Sequence, residues 1–168
     1  SRNAFIACNS GHLRAEPALG LAHDSGPVDQ PAAYSIVADL FHVRERAVAN
    51  FRSGDGMEWG EHHPCLFRAT ERFFRAGYNA SLLSDWLPAL DGVVEKLEAG
   101  GSAADVGCGH GVTTMLMAQA FPRSEFVGID YHDASIDTAR EHAASLGLGN
   151  VSFEVAEGRT VREGLLAR

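Results

Sequence analysis

Apolar positions recur at helical spacing through roughly the first hundred residues, then give way to short strand-like runs separated by glycines. From Pro31 to about Asn50, the residues Ile36, Val37, Leu40, Phe41, Val43 and Val48 mark one helix, with Pro31 suited to its first turn. The run Ser53-Gly54-Asp55-Gly56 breaks that pattern. A second helix is predicted from about Leu66 to Leu87, where Phe67, Phe73, Phe74 and Trp86 form a stripe expected to be buried. A third, Leu90 to Leu97, follows Pro88 and stops at Gly100-Gly101. Nearer the start, Ala4 to Ala7 reads as a short strand and Ala15 to His23 as a short helix.

Beyond Gly101 the signals alternate. Ser102–Val106 reads as a strand, Val112–Phe121 as a helix ended by Pro122, and Glu125–Ile129 as a second strand. Ala134–Leu146 is a second helix stopped by Gly147, and Val151–Val155 a third strand. A β-α-β-α-β order is half of a doubly wound domain with parallel strands. The expected fold is therefore α/β, a Rossmann-like parallel sheet of about three strands behind a mostly helical N-terminal segment.

Composition narrows the function. The chain is 45% hydrophobic, enough to bury a core. With 14 basic and 22 acidic side chains its net charge is −8, which argues against nucleic acid as partner. No apolar run approaches the roughly 18 residues of a membrane span, and Ser1–Ser10 lacks a signal-peptide layout, so a cytoplasmic setting without membrane contact is expected. Cys8, Cys65 and Cys108 have no paired spacing, which indicates neither disulfides nor zinc. The adjacent His62 and His63 beside Glu61 cannot both face one ion from a regular element, so no metal is expected there.

The densest chemistry lies in Asp105-Val106-Gly107-Cys108-Gly109-His110-Gly111, between a predicted strand and a predicted helix. Gly107, Gly109 and Gly111 permit positive φ and close approach of backbone to a ligand. The helix that follows directs N–H groups over the loop. Asp130 ends the next strand, 19 positions after Gly111, where a carboxylate can accept both hydroxyls of a ribose. Cys108 occupies a loop position that needs a small side chain, and with no paired base it is not a nucleophile.

These residues resemble the class I S-adenosylmethionine-dependent methyltransferases, whose first motif, an acidic residue, any residue, then G-x-G-x-G, is matched by Asp105 through Gly111. A dinucleotide fingerprint, G-x-G-x-x-G, would need glycine where Val112 stands, which disfavours a nicotinamide-dependent dehydrogenase. The resemblance continues at Gly128-Ile129-Asp130-Tyr131 and Val155-Ala156-Glu157 and spans about residues 102–158. It implies S-adenosyl-L-methionine as cofactor, with Asp130 on the ribose and Ala156 and Glu157 beside the adenine. It leaves Asp105 either at the methionine end or holding loop amides, and Tyr131 either along the ribose and adenine or in the core.

Glu58 through Leu66, Glu71 through Arg75 and Trp86 through Leu90 look like a bacterial subgroup with a winged-helix region ahead of this fold. That resemblance implies a winged-helix remnant at residues 1–30, a helical linker and lid at 31–100, and a partial methyltransferase domain at 101–168. The chain then reads as cut at both ends and inactive alone. The expected reaction is methyl transfer to a small-molecule acceptor, with no catalytic side chain assignable and a homodimer allowed. A rival of another class is a non-catalytic regulator that senses the same donor and acts through the winged helix.

Overall fold

The computed structural model describes residues 30–157. The strand from Ala4, the helix from Ala15, the winged-helix remnant and the stretch after Glu157 lie outside the described residues. The chain divides into two compact units, residues 1–77 and residues 78–168.

In the first unit, α1 (Gln30–His42) and α2 (Arg44–Ser53) occupy the stretch predicted as one helix. They meet at Val43, where φ is −94° and ψ 3°. Backbone bonds still run through the break, from Val43 N–H to Asp39 O and from Ala47 N–H to Val43 O, so the apolar spacing continues across it and hides it. Gly54 ends α2 as expected, with its N–H on Asn50 O. After a 3₁₀ turn at Trp59–Glu61 comes α3 (Pro64–Ser81), which buries Cys65, Leu66 and Ala69. The expected aromatic stripe is not what this helix buries, because Phe74 is 47% exposed. Small and branched side chains form the close contacts instead.

The second unit takes in the last turn of α3 and then a π-helical turn, Leu82–Trp86, closed by Leu87 N–H donating to Leu82 O at 3.0 Å. Pro88 has no N–H with which to continue it. The predicted continuous helix to Leu87 is therefore α3 followed by a wider turn, and Trp86 is 48% exposed. The next helix, α4 (Val93–Ala99), starts later than predicted and ends at Gly100. Then follow β1 (Ser102–Val106), α5 (Val112–Ala120), β2 (Glu125–Asp130), α6 (Asp133–Ser145) and β3 (Val151–Val155), each within a residue or so of its predicted limits.

The strands form one parallel sheet in the order β1-β2-β3, with Asp105 opposite Gly128 and Gly128 opposite Phe153. This is the expected Rossmann-like arrangement. One apolar cluster joins Cys108, Met115, Ile136, Ala139, Ala143 and Phe153, and a second joins Leu82, Leu87, Leu97, Ala118 and Phe126. Burying each large side chain among them stabilises the unit by about 1.5–3 kcal/mol. Between them Asn150 reaches back, its Nδ2 donating to Ala118 O at 3.0 Å, Phe121 O at 3.3 Å and Ser124 O at 2.9 Å. That amide supplies a donor to Ala118 O, whose helical partner would be the N–H that Pro122 lacks, and links the end of α5 to the start of β2. Among the described residues, no helix is long and apolar enough to cross a membrane.

Candidate functional site

Parallel strands of this kind present their carboxyl ends along one edge, and ligands bind outside that edge. Here the edge carries Asp105 from β1, Asp130 from β2 and Ala156 just beyond β3. The glycine loop lies along it because its amides continue the β1–β2 ladder. Gly107 N–H and Cys108 N–H both donate to Ile129 O, at 2.7 and 3.1 Å. Gly109 N–H donates to Asp130 Oδ2 at 2.9 Å.

Asp130 is the junction of the site. Its second oxygen, Oδ1, accepts from His132 N–H at 2.9 Å, and its backbone carbonyl accepts from Ala156 N–H at 3.0 Å. Loop, second strand and third strand thus meet at one residue. Each carboxylate oxygen keeps further lone-pair capacity, so hydroxyl donors can still be received.

Asp105 is oriented differently. Its Oδ2 accepts from the hydroxyls of Thr113 at 2.5 Å and Thr114 at 2.7 Å, both in the first turn of α5. The carboxylate holds the helix start against the end of β1. Of the two roles left open by the sequence, a structural one is thereby met, although by threonine hydroxyls and not by loop amides. Thr113 and Thr114 were absent from the sequence-based set. Hydroxyl residues opening a helix that follows an acidic strand end were the available signal.

The three loop glycines do two different jobs. Gly107 and Gly109 have φ of 80° and 53°, and nothing lies within 4 Å of where a Cβ would stand on either. They leave open space beside the carboxylates. Gly111 is buried, and a Cβ there would meet Phe153 Cε1 at 2.5 Å and Ala139 Cβ at 3.2 Å. Its hydrogen makes room for a core aromatic ring.

Cys108 contributes backbone to the loop while its side chain joins the core cluster. Burial, then the charges of Asp105 and Asp130, push its thiol up to about 12. A thiol so raised packs as a small apolar side chain. Tyr78 also enters here, unflagged by its sequence context. Burial and then the Asp105 charge raise its phenol, and its ring packs edge-on against Trp86 at 6.0 Å. Tyr131 is half exposed at the end of β2, so the core alternative fails for it. Glu157 is exposed beyond β3. The field of this edge is negative: two carboxylates oppose ionisation of the neighbouring acids and favour a cation.

Residues 97–163 match a family model described as "Methyltransferase domain". Trans-aconitate 2-methyltransferase of Methylobacterium radiotolerans is 33% identical over 92 residues, covering 46% of this chain and 34% of that protein. The 2-heptyl-1-hydroxyquinolin-4(1H)-one methyltransferase of Mycobacteroides abscessus is 33% identical over 70 residues, covering 42% and 30%. The matched region thus spans about a third of the length of these curated relatives. A solved SAM dependent methyltransferase from Aquifex aeolicus shares 25% identity, with a TM-score of 0.34, over 39% of this chain and 36% of that one. The likeness to methyltransferase domains thus centres on residues 97–163, the stretch that carries the glycine loop and both strand-end carboxylates.

Proposed function

We propose that this chain carries the donor-binding half of an S-adenosylmethionine-dependent methyltransferase that acts on a small-molecule acceptor. The single observation that carries the reading is the pair of carboxylates, Asp105 and Asp130, flanking the open space over Gly107 and Gly109. A donor with a positively charged sulfonium suits that negative edge, whereas a nicotinamide cofactor would bring a pyrophosphate against it. Val112, buried where a dinucleotide fingerprint has glycine, points the same way.

S-adenosyl-L-methionine is the donor. It supplies an electrophilic methyl carbon already activated by its charge, so the protein's part is chiefly orientation and a shaped site. Asp130 takes the ribose hydroxyls on its remaining lone pairs, Tyr131 lies along the nucleoside, and Ala156 and Glu157 flank the adenine. Asp105 holds the start of α5 and faces the methionine end, with Gly107, Cys108 and Gly109 supplying backbone beneath it. Gly111 belongs to the set through the turn it makes, not through contact.

A small-molecule acceptor is supported by the names of the two curated relatives, each of which designates one. The motifs from Glu58 to Leu66 and from Trp86 to Leu90 support a linker and lid at residues 31–100, with residues 1–30 belonging to a winged-helix region. The unpaired cysteine pattern supports a cytoplasmic setting. A homodimer is supported by apolar side chains left open on α1 and α2, Phe51 at 92% among them.

Calorimetric titration of the full chain tests the donor. S-adenosylmethionine or its demethylated product should bind more tightly than NAD, and the reverse order would sink the reading. Asp130→Ala should weaken donor binding about tenfold or more, since charge-assisted hydrogen bonds are worth roughly 1.5–3 kcal/mol. Because Asp130 also holds Gly109, the melting temperature is measured alongside; unchanged affinity would reduce Asp130 to a loop staple.

A further inference from the structure

In the first unit, three metal-ligating side chains converge: His42 at the end of α1, His63 just before α3, and Cys65 in the first turn of α3. One ligand atom from each lies within 4.8 Å of the other two. We propose that His42, His63 and Cys65 bind a thiophilic divalent ion of the zinc type, with a fourth position left to water.

The adjacent histidines that the sequence draws attention to are separated by Asp39. Its carboxylate is buried, with Oδ2 2.6 Å from His62 Nδ1 and Oδ1 accepting from His63 N–H at 2.9 Å. Asp39 therefore turns the His62 ring to itself and fixes the backbone from which the His63 ring leaves. His63 then meets His42, 21 positions upstream, a spacing that matches no local metal motif. Two imidazoles and a thiolate suit zinc or its neighbours and not magnesium or calcium. Metal–nitrogen bonds of about 2.0–2.1 Å and metal–sulfur bonds of about 2.3 Å place tetrahedral ligand atoms roughly 3.3–3.6 Å apart. No pair of donors needs to close in by more than about 1.5 Å.

The movement required is specific. The His42 and His63 rings are stacked, 4.0 Å apart and 9° from parallel. Parallel planes at that distance cannot both contain one ion, so one ring must tilt. His42 is the exposed one and is free to turn, while Cys65 is buried and stays in place. His63 Nδ1 at present accepts from Cys65 N–H at 3.2 Å. If Nδ1 binds the ion its lone pair is taken; if Nε2 binds, the proton moves to Nδ1. Either way that long bond is given up. Cys65 releases its thiol proton to solvent and binds as thiolate. The ion thereby ties α1 to the start of α3, the two segments that Asp39 already joins.

Cobalt(II) titration of the chelator-treated full chain tests the site. One equivalent should bind with a thiolate-to-cobalt charge-transfer absorption that zinc displaces. Cys65→Ser should abolish that absorption and Cys108→Ser should retain it. His42→Ala and His42→Gln, at an exposed position, should each weaken binding about tenfold or more while the melting temperature of the metal-free chain stays within about 2 °C. The proposal is overturned by a chain that shows no thiolate absorption, by absorption that survives Cys65→Ser, or by affinity indifferent to both His42 substitutions.

Discussion

Replacing Gly128 by alanine is the sharpest test of how the glycine loop is supported. Gly128 lies in the middle of β2, opposite Asp105 on one side and Phe153 on the other. A Cβ there would stand 2.5 Å from Phe153 Cδ1 and Cε1 and 3.0 Å from Cys108 Sγ. The φ at this position is ordinary for a strand, so the substitution adds bulk without backbone strain. Phe153 has nowhere to retreat, because its far edge already fills the place of a side chain at Gly111, with Cε1 and Cζ 2.5 and 2.6 Å from a Cβ there. Ordinary contact needs about an ångström more, and overpacking of this kind costs typically 1–3 kcal/mol. With ring and sulfur both displaced, the upper half applies, about 2–3 kcal/mol. For a unit of this size that lowers the melting temperature by about 10–20 °C. Thermal unfolding followed by circular dichroism measures it. The companion variant Phe153→Leu removes Cε1 and Cζ, so the double substitution should cost at least about 1 kcal/mol less than the two singles added together. A Gly128→Ala protein that melts within about 2 °C of its parent, or a strictly additive double, would refute the packing account of these glycines.

Two further expectations concern the second unit. Asn150→Ala should cost about 1–3 kcal/mol in urea unfolding by removing the amide donor from the carbonyls of Ala118 and Ser124 (Phe121 O keeps the Ser124 N–H), and Asn150→Asp should cost more because it sets a carboxylate against them. Equal losses would show that Nδ2 is not the group that matters. Burial, aided by Asp105 and Asp130, holds the Cys108 thiol up to about 12 in the folded state against an ordinary 9.0. The unfolded chain therefore ionises first, so this group's stabilisation is complete below about pH 9 and is lost as pH rises toward 12. Iodoacetamide labelling of Cys108, read by mass spectrometry, should be slow and still rising at pH 10; a plateau near pH 8–9 would contradict the burial.

What the sequence revealed follows the range over which each signal acts. The strands Ser102–Val106 and Val151–Val155 were legible because glycines and short branched runs bound them locally, within a few residues of the feature itself. The kink at Val43 and the wide turn at Leu82–Trp86 were not, since the apolar spacing passes through both. The site shows the same division. Asp105 and Asp130 announce themselves by their places at strand ends. The threonines that hold Asp105 and the ring that fills the space beside Gly111 come from elements folded back by tertiary contact, in the second case from 42 positions away. Glycine is the clearest case of the difficulty. At 107 and 109 its missing side chain leaves space that a ligand can use, while at 111 and 128 Phe153 has already used it. One letter in one motif thus stands for two opposite physical facts, and only the position of Phe153 separates them. The motif alone would place three glycines beneath a donor. The packing leaves two, so ligand affinity should be most sensitive at Gly107 and Gly109, and folding at Gly111 and Gly128.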